Sequence, residues 1–367
     1  MTGLRPRSRR RSPVRPFAPA LLLVALVVAA CSPVPAAPDA YEALRVRFDA
    51  SAPGRGLDQY TPATVMDHPM AYAFFASAEA HRYSRTQDRA SLARAGAAAE
   101  WLVQNADLDG DGATAWGLPF AWDAFGDGSE NPEHNAYTIT TAVAVQALLD
   151  VYEHTGDPRL LETALAGVKT FVYGALEPGD DAAWFWYSLA ESDALPVFNV
   201  SAMMLGQLQR LTVHDPSLRR TADAVARHLL AHRDADGHWY YSAPGAIGDS
   251  RKNDLVHAAY IVQGLADYAR FGGSVGIDAQ SLYETLADFV VDGTVTEMPR
   301  EPGPARAWGV GAALFTAGLL EQEFEVTGTL SAVFHAAALR YDPSPARFYP
   351  RQAAHVLVGL AVTTPGR

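Results

Sequence analysis

The chain of 367 residues carries 29 basic and 41 acidic side chains, a formal charge of −12 at pH 7, and one cysteine. That balance argues against general nucleic-acid binding, which needs a basic face, and a lone cysteine excludes an internal disulfide framework.

The first thirty residues read as a targeting segment. Six arginines within the first fifteen positions precede an almost wholly apolar stretch, Phe17 to Ala30, and Val28-Ala29-Ala30-Cys31 has the form of a lipobox. The apolar stretch is too short for an ordinary spanning helix, and small residues lead up to the cysteine. The segment resembles a bacterial lipoprotein signal, so we expect removal of residues 1–30 and lipidation of Cys31. An acylated Cys31 would tie the protein to a membrane, each buried methylene contributing about 0.8 kcal/mol. The rest of the chain would then lie outside the cytoplasm, in the periplasm or at the cell surface. Losing residues 1–30 leaves 23 basic against 41 acidic residues, a formal charge of −18. Residues 31–62, rich in Pro, Ala and Gly at first, read as a tether and lead-in. Residues 63–367 read as one domain.

That domain shows a repeated helical hairpin. Asp67-His68-Pro69-Met70 opens a helix to about His81, and Arg89 to Gln104 is its partner. The clearest units begin at Tyr137-Thr138-Ile139-Thr140, at Phe198-Asn199-Val200-Ser201 and at Asn253-Asp254-Leu255-Val256-His257. They break at Gly156-Asp157-Pro158, at His214-Asp215-Pro216 and at Phe271-Gly272-Gly273, a spacing of roughly 55 to 60 residues that suits two helices plus a loop. Asp157 and Asp215 read as N-caps, with Pro158 and Pro216 at the first helical position. Leu160, Leu161, Ala164, Val168 and Phe171 follow at helical spacing. Downstream, Ala307 to Phe324 pairs with Leu330 to Arg340, and Gln352 to Val362 is left as a last unpaired helix. The expected fold is all-α: an α/α toroid, complete or incomplete, of about five to six hairpins.

A long insertion separates the first two hairpins, and loops of this length inside compact domains are more often functional than accidental. It opens with Asp107, Asp109, Asp111 and Gly112, the start of a calcium loop, but the twelfth position is Leu118 rather than a bidentate glutamate. A standard EF-hand is excluded; a looser calcium site on the three aspartates remains, and no other cofactor is expected. Asp123 follows between Trp122 and Phe125, where partial burial would raise its pKa and make it a proton donor.

In a toroid the inner helices share a direction, so their starts gather at one end. Those starts carry Asp67 and His68; His134, Asn135 and Tyr137; Asn199 and Ser201; Asn253, Asp254 and His257; Arg306 and Trp308; Arg351, Gln352 and His355. Helix N-termini add unpaired N–H groups that favour anionic or hydroxyl-rich ligands. Aromatic runs precede the helix starts: Trp116, Trp184 to Tyr187 with Trp186, His238 to Tyr241 with Trp239, and Phe348-Tyr349. Rings beside polar groups suit sugars, whose C–H faces pack on them; single rings also serve as core plugs. Candidate substrate contacts are therefore Trp122, Tyr137, Trp186, Asn199, Trp239, Tyr241, Asn253, Arg306, Trp308 and Arg351. Two chemistries are open for the candidate catalytic residues Asp123, His134, Asp254, His257 and Tyr187. Asp123, with Glu133 and His134, could form one arm of an acid/base pair completed by Asp193 or Asp254, as in glycosidases. Alternatively Tyr187, Tyr241 or His257 could abstract a proton beside a uronate carboxylate, neutralised by Arg251, Lys252, Arg306 or Arg351.

These paired helices and aromatic loops resemble the six-hairpin glycosidase-like proteins and the C-terminal toroid of D-glucuronyl C5-epimerases. The likeness covers about residues 63 to 363 in organisation, and no catalytic motif matches residue by residue. It implies a polysaccharide or oligosaccharide partner and a hydrolase, lyase or epimerase, or else a glycan-binding lipoprotein assisting export or uptake. Toroids also process isoprenoids, but a DDxxD diphosphate motif is missing.

Overall fold

The computed structural model describes residues 37–179, 181–247, 251–324 and 348–363. In chain order the elements are α1 (Ala37–Arg45), β1 (Arg55–Gly56), β2 (Met66–Asp67), α2 (Pro69–Thr86), α3 (Arg89–Gln104), α4 (Thr138–Thr155) and α5 (Pro158–Gly174). Then come β3 (Leu176–Pro178), β4 (Ala183–Phe185), α6 (Phe198–Leu211), α7 (Arg219–Ala231), α8 (Leu255–Arg270) and α9 (Ala279–Ala287). The last are β5 (Val290–Val291), β6 (Thr294–Val295), α10 (Ala307–Leu319) and α11 (Pro350–Val362). The strands form three short antiparallel pairs, β1 with β2, β3 with β4 and β5 with β6.

Local chemistry sets the helix ends. α4 stops where Gly156 adopts φ 66°, a left-handed conformation that carries no Cβ penalty in glycine. Asp157 then accepts from Arg159 N at 3.0 Å and Pro158 opens α5, as the sequence pattern predicts. At the equivalent turn Asp215 caps Ser217 N, but Pro216–Leu218 forms a 3-10 turn before α7 begins. α2 runs past His81 to Thr86, because Arg82 to Thr86 contain no helix breaker, and Gln87 closes it at φ 57°. α10 ends at Leu319, five residues short of the expected Phe324, and α11 begins at Pro350 rather than Gln352. The expected helix Leu330–Arg340, the signal segment 1–30 and Cys31 lie outside the described residues. No helix among the described residues is long and apolar enough to cross a membrane.

Six helices form an inner ring. α2 packs on α4, α4 on α6, α6 on α8, α8 on α10, α10 on α11, and α11 back on α2. Inner helices are buried on almost every face, as in α8 from Leu255 to Tyr268 apart from His257. Outer helices bury one stripe instead, in α5 Leu160, Ala164, Gly167, Val168 and Phe171. Glycines let the inner helices approach closely: a Cβ on Gly264 would sit 1.9 Å from the Ala202 carbonyl oxygen, and one on Gly311 2.3 Å from that of His355. The pairs α2–α3, α4–α5, α6–α7 and α8–α9 are the hairpins. α11 is not unpaired, contrary to expectation. The segment taken as tether and lead-in supplies α1, whose Ala40, Tyr41 and Leu44 are buried and which packs on α11. Asp58 seals the seam by pairing with Arg351, 2.8 Å to Nε, and Arg85 Nη1 donates to the Ala361 and Thr363 carbonyls, 2.6 Å each. The architecture is thus a closed α/α toroid.

Candidate active site

The starts of the six inner helices gather around a cavity of about 790 Å³. Each inner helix contributes from its first two turns: Met70, Ile139 and Thr140, Asn199, Val256 and His257, Trp308, and Arg351 with His355. The connecting loops supply the rest of the wall through a repeated device. The Tyr187 carbonyl accepts the first N–H of α4, the Tyr241 carbonyl that of α6, and the Glu297 carbonyl that of α8, at 3.1, 3.2 and 2.9 Å. Each carbonyl satisfies an otherwise orphaned helix donor, and all three residues line the cavity.

Side chains on an extended segment alternate, so residues two apart share a face, and along each connecting segment that inward face passes from core to cavity. Two residues before each cavity-facing position lies a core residue: Phe185, Trp239 and Val295, each at most 1% exposed. Trp239 is therefore a plug, not a substrate contact; its Nε1 donates to the Leu229 carbonyl at 2.7 Å and Arg233 stacks on its ring. Trp186, on the opposite side of the alternation from Tyr187, packs on the core and lies outside the cavity wall. Of the other expected contacts, Trp122, Tyr137, Asn199, Tyr241, Asn253, Arg306, Trp308 and Arg351 all line the cavity.

The expected acid/base residues divide. Asp123 is not a proton donor in the cavity: its carboxylate accepts from the backbone N–H groups of Phe125, Gly126, Asp127 and Gly128 and holds its own loop in shape. His134 stands at φ 67° outside the cavity wall. Asp193 is fully buried behind it, accepting from Asn131 at 2.7 Å. Tyr187 does line the cavity, and burial first, then the neighbouring tyrosine hydroxyls, push its pKa up. It is therefore a neutral hydroxyl rather than a ready base.

Asp254 and His257 are brought together. Asp254 caps α8 by accepting from His257 N, and its Oδ1 lies 2.6 Å from His257 Nδ1. Arg306 Nη2 donates to the other oxygen at 2.5 Å and its Nε donates to Glu297. Burial opposes the charge on Asp254, but His257 and Arg306 outweigh it and hold the carboxyl at about 2. A carboxylate accepting at Nδ1 fixes the proton there. His257 Nε2 is left without a partner among the described residues, on a side chain 27% exposed at the cavity.

Reading by residue type missed Tyr60, Tyr260 and Glu297, which also line the cavity. Tyr60 packs on Trp122 with centroids 4.4 Å apart, and Arg351 stacks on it. Tyr260 was detectable in principle, one turn after His257 on the same helical face. Its hydroxyl meets His355 Nε2 at 2.5 Å, while His355 Nδ1 lies 2.6 Å from the Arg351 carbonyl. A carbonyl can only accept, so Nδ1 carries the proton and Tyr260 donates to Nε2. Burial first, and then Arg351, hold His355 neutral, with its pKa down to about 3.

Asp107, Asp109 and Asp111 are exposed, with one oxygen of each within 4.8 Å of the others. They are the residues that could hold a hard cation. Leu118, at the twelfth position of that loop, lines the main cavity instead.

No known family model and no curated protein sequence matches the chain. Solved structures match in fold. A cellobiose 2-epimerase from Bacillus thermoamylovorans superposes with TM-score 0.60 at 13% identity, over 89% of this chain and 97% of its own. An α-1,6-mannanase from a Salegentibacter species gives 0.58 at 11%, over 89% and 97%. An unsaturated glucuronyl hydrolase specific for heparin gives 0.54 at 13%, over 89% and 95%. What these structures share with the chain is the fold, an α/α toroid.

Proposed function

We propose that the protein is a carbohydrate-active enzyme that binds an oligosaccharide in the toroid cavity and moves a proton at a sugar carbon. This makes it an epimerase or lyase rather than a two-carboxylate hydrolase. The observation that carries the reading is the Asp254–His257 pair, a half-buried carboxylate behind an imidazole whose other nitrogen has no partner among the described residues and lies at the cavity. His257 Nε2 takes the proton from carbon, Asp254 stabilises the resulting imidazolium, and that imidazolium returns the proton, to carbon in an epimerisation or to the leaving oxygen in an elimination. Among the described residues, both carboxylates that line the cavity, Asp254 and Glu297, are bound to Arg306, which leaves neither as the free acid a glycosidase pair needs.

Saccharide binding is supported by groups the protein leaves unsatisfied. Asn199 Oδ1, Asn253 Oδ1 and Trp308 Nε1 are buried without hydrogen-bond partners, and all three residues line the cavity. An unmade bond of this kind costs about 1–3 kcal/mol, recovered when sugar hydroxyls meet them. The structural neighbours named for epimerase, mannanase and glucuronyl hydrolase activities agree with such a ligand. The test is mass spectrometry of a polysaccharide and oligosaccharide panel incubated with residues 37–367 in deuterated water. Deuterium uptake without shortening means epimerisation, unsaturated ends mean elimination, and shortened saturated products would overturn the reading. The competing account is a non-catalytic glycan-binding protein, favoured by the same engagement of Asp254 and Glu297 by Arg306. It would be established by glycans that stabilise the protein yet return unchanged.

We further propose that Cys31 is lipidated and anchors the protein outside the cytoplasm. The form Val28-Ala29-Ala30-Cys31 supports this, and metabolic labelling with a fatty acid, abolished by Cys31→Ser, tests it.

A further inference from the structure

The cations around the cavity are almost all occupied. Arg351 is paired with Asp58, Arg306 with Asp254 and Glu297, and Lys252 with Asp234 and Asp236. Arg251 differs: its guanidinium makes no ion pair or hydrogen bond among the described residues, although it lines the cavity. It also lines a second cavity of about 370 Å³, which shares Arg251, Lys252 and Met298 with the first. In that side cavity Arg300 is again neutralised, by Asp288, which His238 also contacts. Among the described residues, the two spaces therefore meet at a single uncompensated positive charge.

Resting on the saccharide reading above, we infer that the substrate is an acidic oligosaccharide that runs from the main cavity into the side cavity, with Arg251 binding an anionic substituent at the junction. A planar guanidinium presents two parallel N–H donors to a carboxylate or sulfate, a geometry that a neutral hydroxyl cannot match. Arg251 is exposed before ligand arrives, so the pairing demands no prior break of an internal ion pair. The volume adds to the charge: the side cavity gives room for a further sugar unit beyond those over His257. Placing the anion at the junction accounts for why one arginine here lacks the carboxylate that each neighbouring cation has.

The experiment compares matched oligosaccharide pools by native mass spectrometry: uronate-containing oligosaccharides from pectin, alginate and hyaluronan, and the same pools after carboxyl reduction. A third pool of carboxyl-reduced chondroitin sulfate oligosaccharides carries only the sulfate anion. Wild type is expected to bind an acidic pool about 10- to 100-fold more tightly than its reduced counterpart. Arg251→Gln is expected to erase that preference while binding the reduced pool as before, and Arg251→Lys to restore part of it. Dependence on Arg251 for the sulfated pool alone would identify sulfate rather than carboxylate as the anion. Equal binding of acidic and reduced pools by wild type, or a preference that survives Arg251→Gln, would overturn the inference and leave the saccharide site standing. If no pool binds, both fail.

Discussion

Asp267 lies at the other end of the ring from the cavity, buried on α8 with its pKa raised to about 7. Burial is the dominant cause; Arg210 and Arg270 pull the value down, and Asp150 and Glu153 push it up. Arg210 is already committed, donating to Asp150 at 2.7 Å and to Glu153 at 2.6 Å, and His81 adds a contact to Asp150 at 3.6 Å. An unfolded aspartate ionises near 3.9, and each pH unit corresponds to 1.36 kcal/mol, so ionising Asp267 in the fold costs about 4 kcal/mol more than in the unfolded chain. The folded pKa is the higher of the two, so the folded state binds the proton more tightly. The penalty is absent below about pH 4, grows between 4 and 7, and is complete above 7. Asp267→Asn mimics the protonated side chain and removes the penalty. For a domain of roughly 300 residues, about 4 kcal/mol corresponds to about 6–7 °C in melting temperature. Calorimetric melts between pH 4.5 and 8 are expected to show the two proteins converging at the acid end and the variant the more stable at pH 8. A variant less stable at pH 8, or offset equally at every pH, would refute the reasoning and mean that Asp267 is ionised beside Arg210 and Arg270.

Other outcomes follow from the same geometry. Asp58→Asn strands the buried Arg351 guanidinium and is expected to destabilise the protein by about 3–5 kcal/mol in urea unfolding, with the Asp58→Leu/Arg351→Met pair recovering much of the loss. His257→Gln is expected to lower the rate of deuterium exchange into the product by about 100- to 10,000-fold with little change in saccharide affinity by calorimetry. Trp239→Ala should cost about 3–5 kcal/mol of stability, whereas Trp122→Ala should chiefly weaken saccharide binding, so the two tryptophans separate in paired melting and binding assays. Because Asp254 is held at about 2, below its unfolded value, its contribution is present above about pH 4 and lost as pH falls toward 2. Asp254→Asn should flatten that limb of an acid titration followed by circular dichroism.

Much of the toroid was legible because hairpin punctuation is local chemistry. Gly156-Asp157-Pro158 states the end of one helix and the start of the next within three residues, and the ring positions of α4, α6 and α8 follow. The closure was not legible. Nothing in the composition of Ala37 to Arg45 distinguishes a tether from a helix that packs on α11, since the partner lies at the far end of the sequence. The aromatics show the same limit at finer scale. Trp239 and Tyr241 are two residues apart in one run and share its inward face, yet one fills the core and the other faces the cavity, a difference set by how near each lies to the start of the next inner helix, which residue type does not reveal. Asp123 misled for a related reason: an aspartate between two aromatic rings looks half-buried and proton-donating, but the glycines after it let four backbone N–H groups claim the carboxylate first. Tyr260 carried a readable signal in its spacing from His257; Tyr60 carried none.

A ring sealed by its two ends imposes an order on folding. Asp58 and Arg351 are separated by 293 residues, so bringing that pair together costs on the order of 5 kcal/mol of chain entropy, and contacts of such range make for slow folding. During synthesis α1 and α2 exist long before α11, so Tyr41, Phe74 and Phe75, buried in the finished ring, have no complete surface to pack on until the final turns are made. Incomplete chains of this kind are aggregation-prone. Removing α11 would therefore not yield a slightly shorter protein but an open ring with an apolar seam, and the last thirteen-residue helix works as the latch that makes the other helices a closed domain.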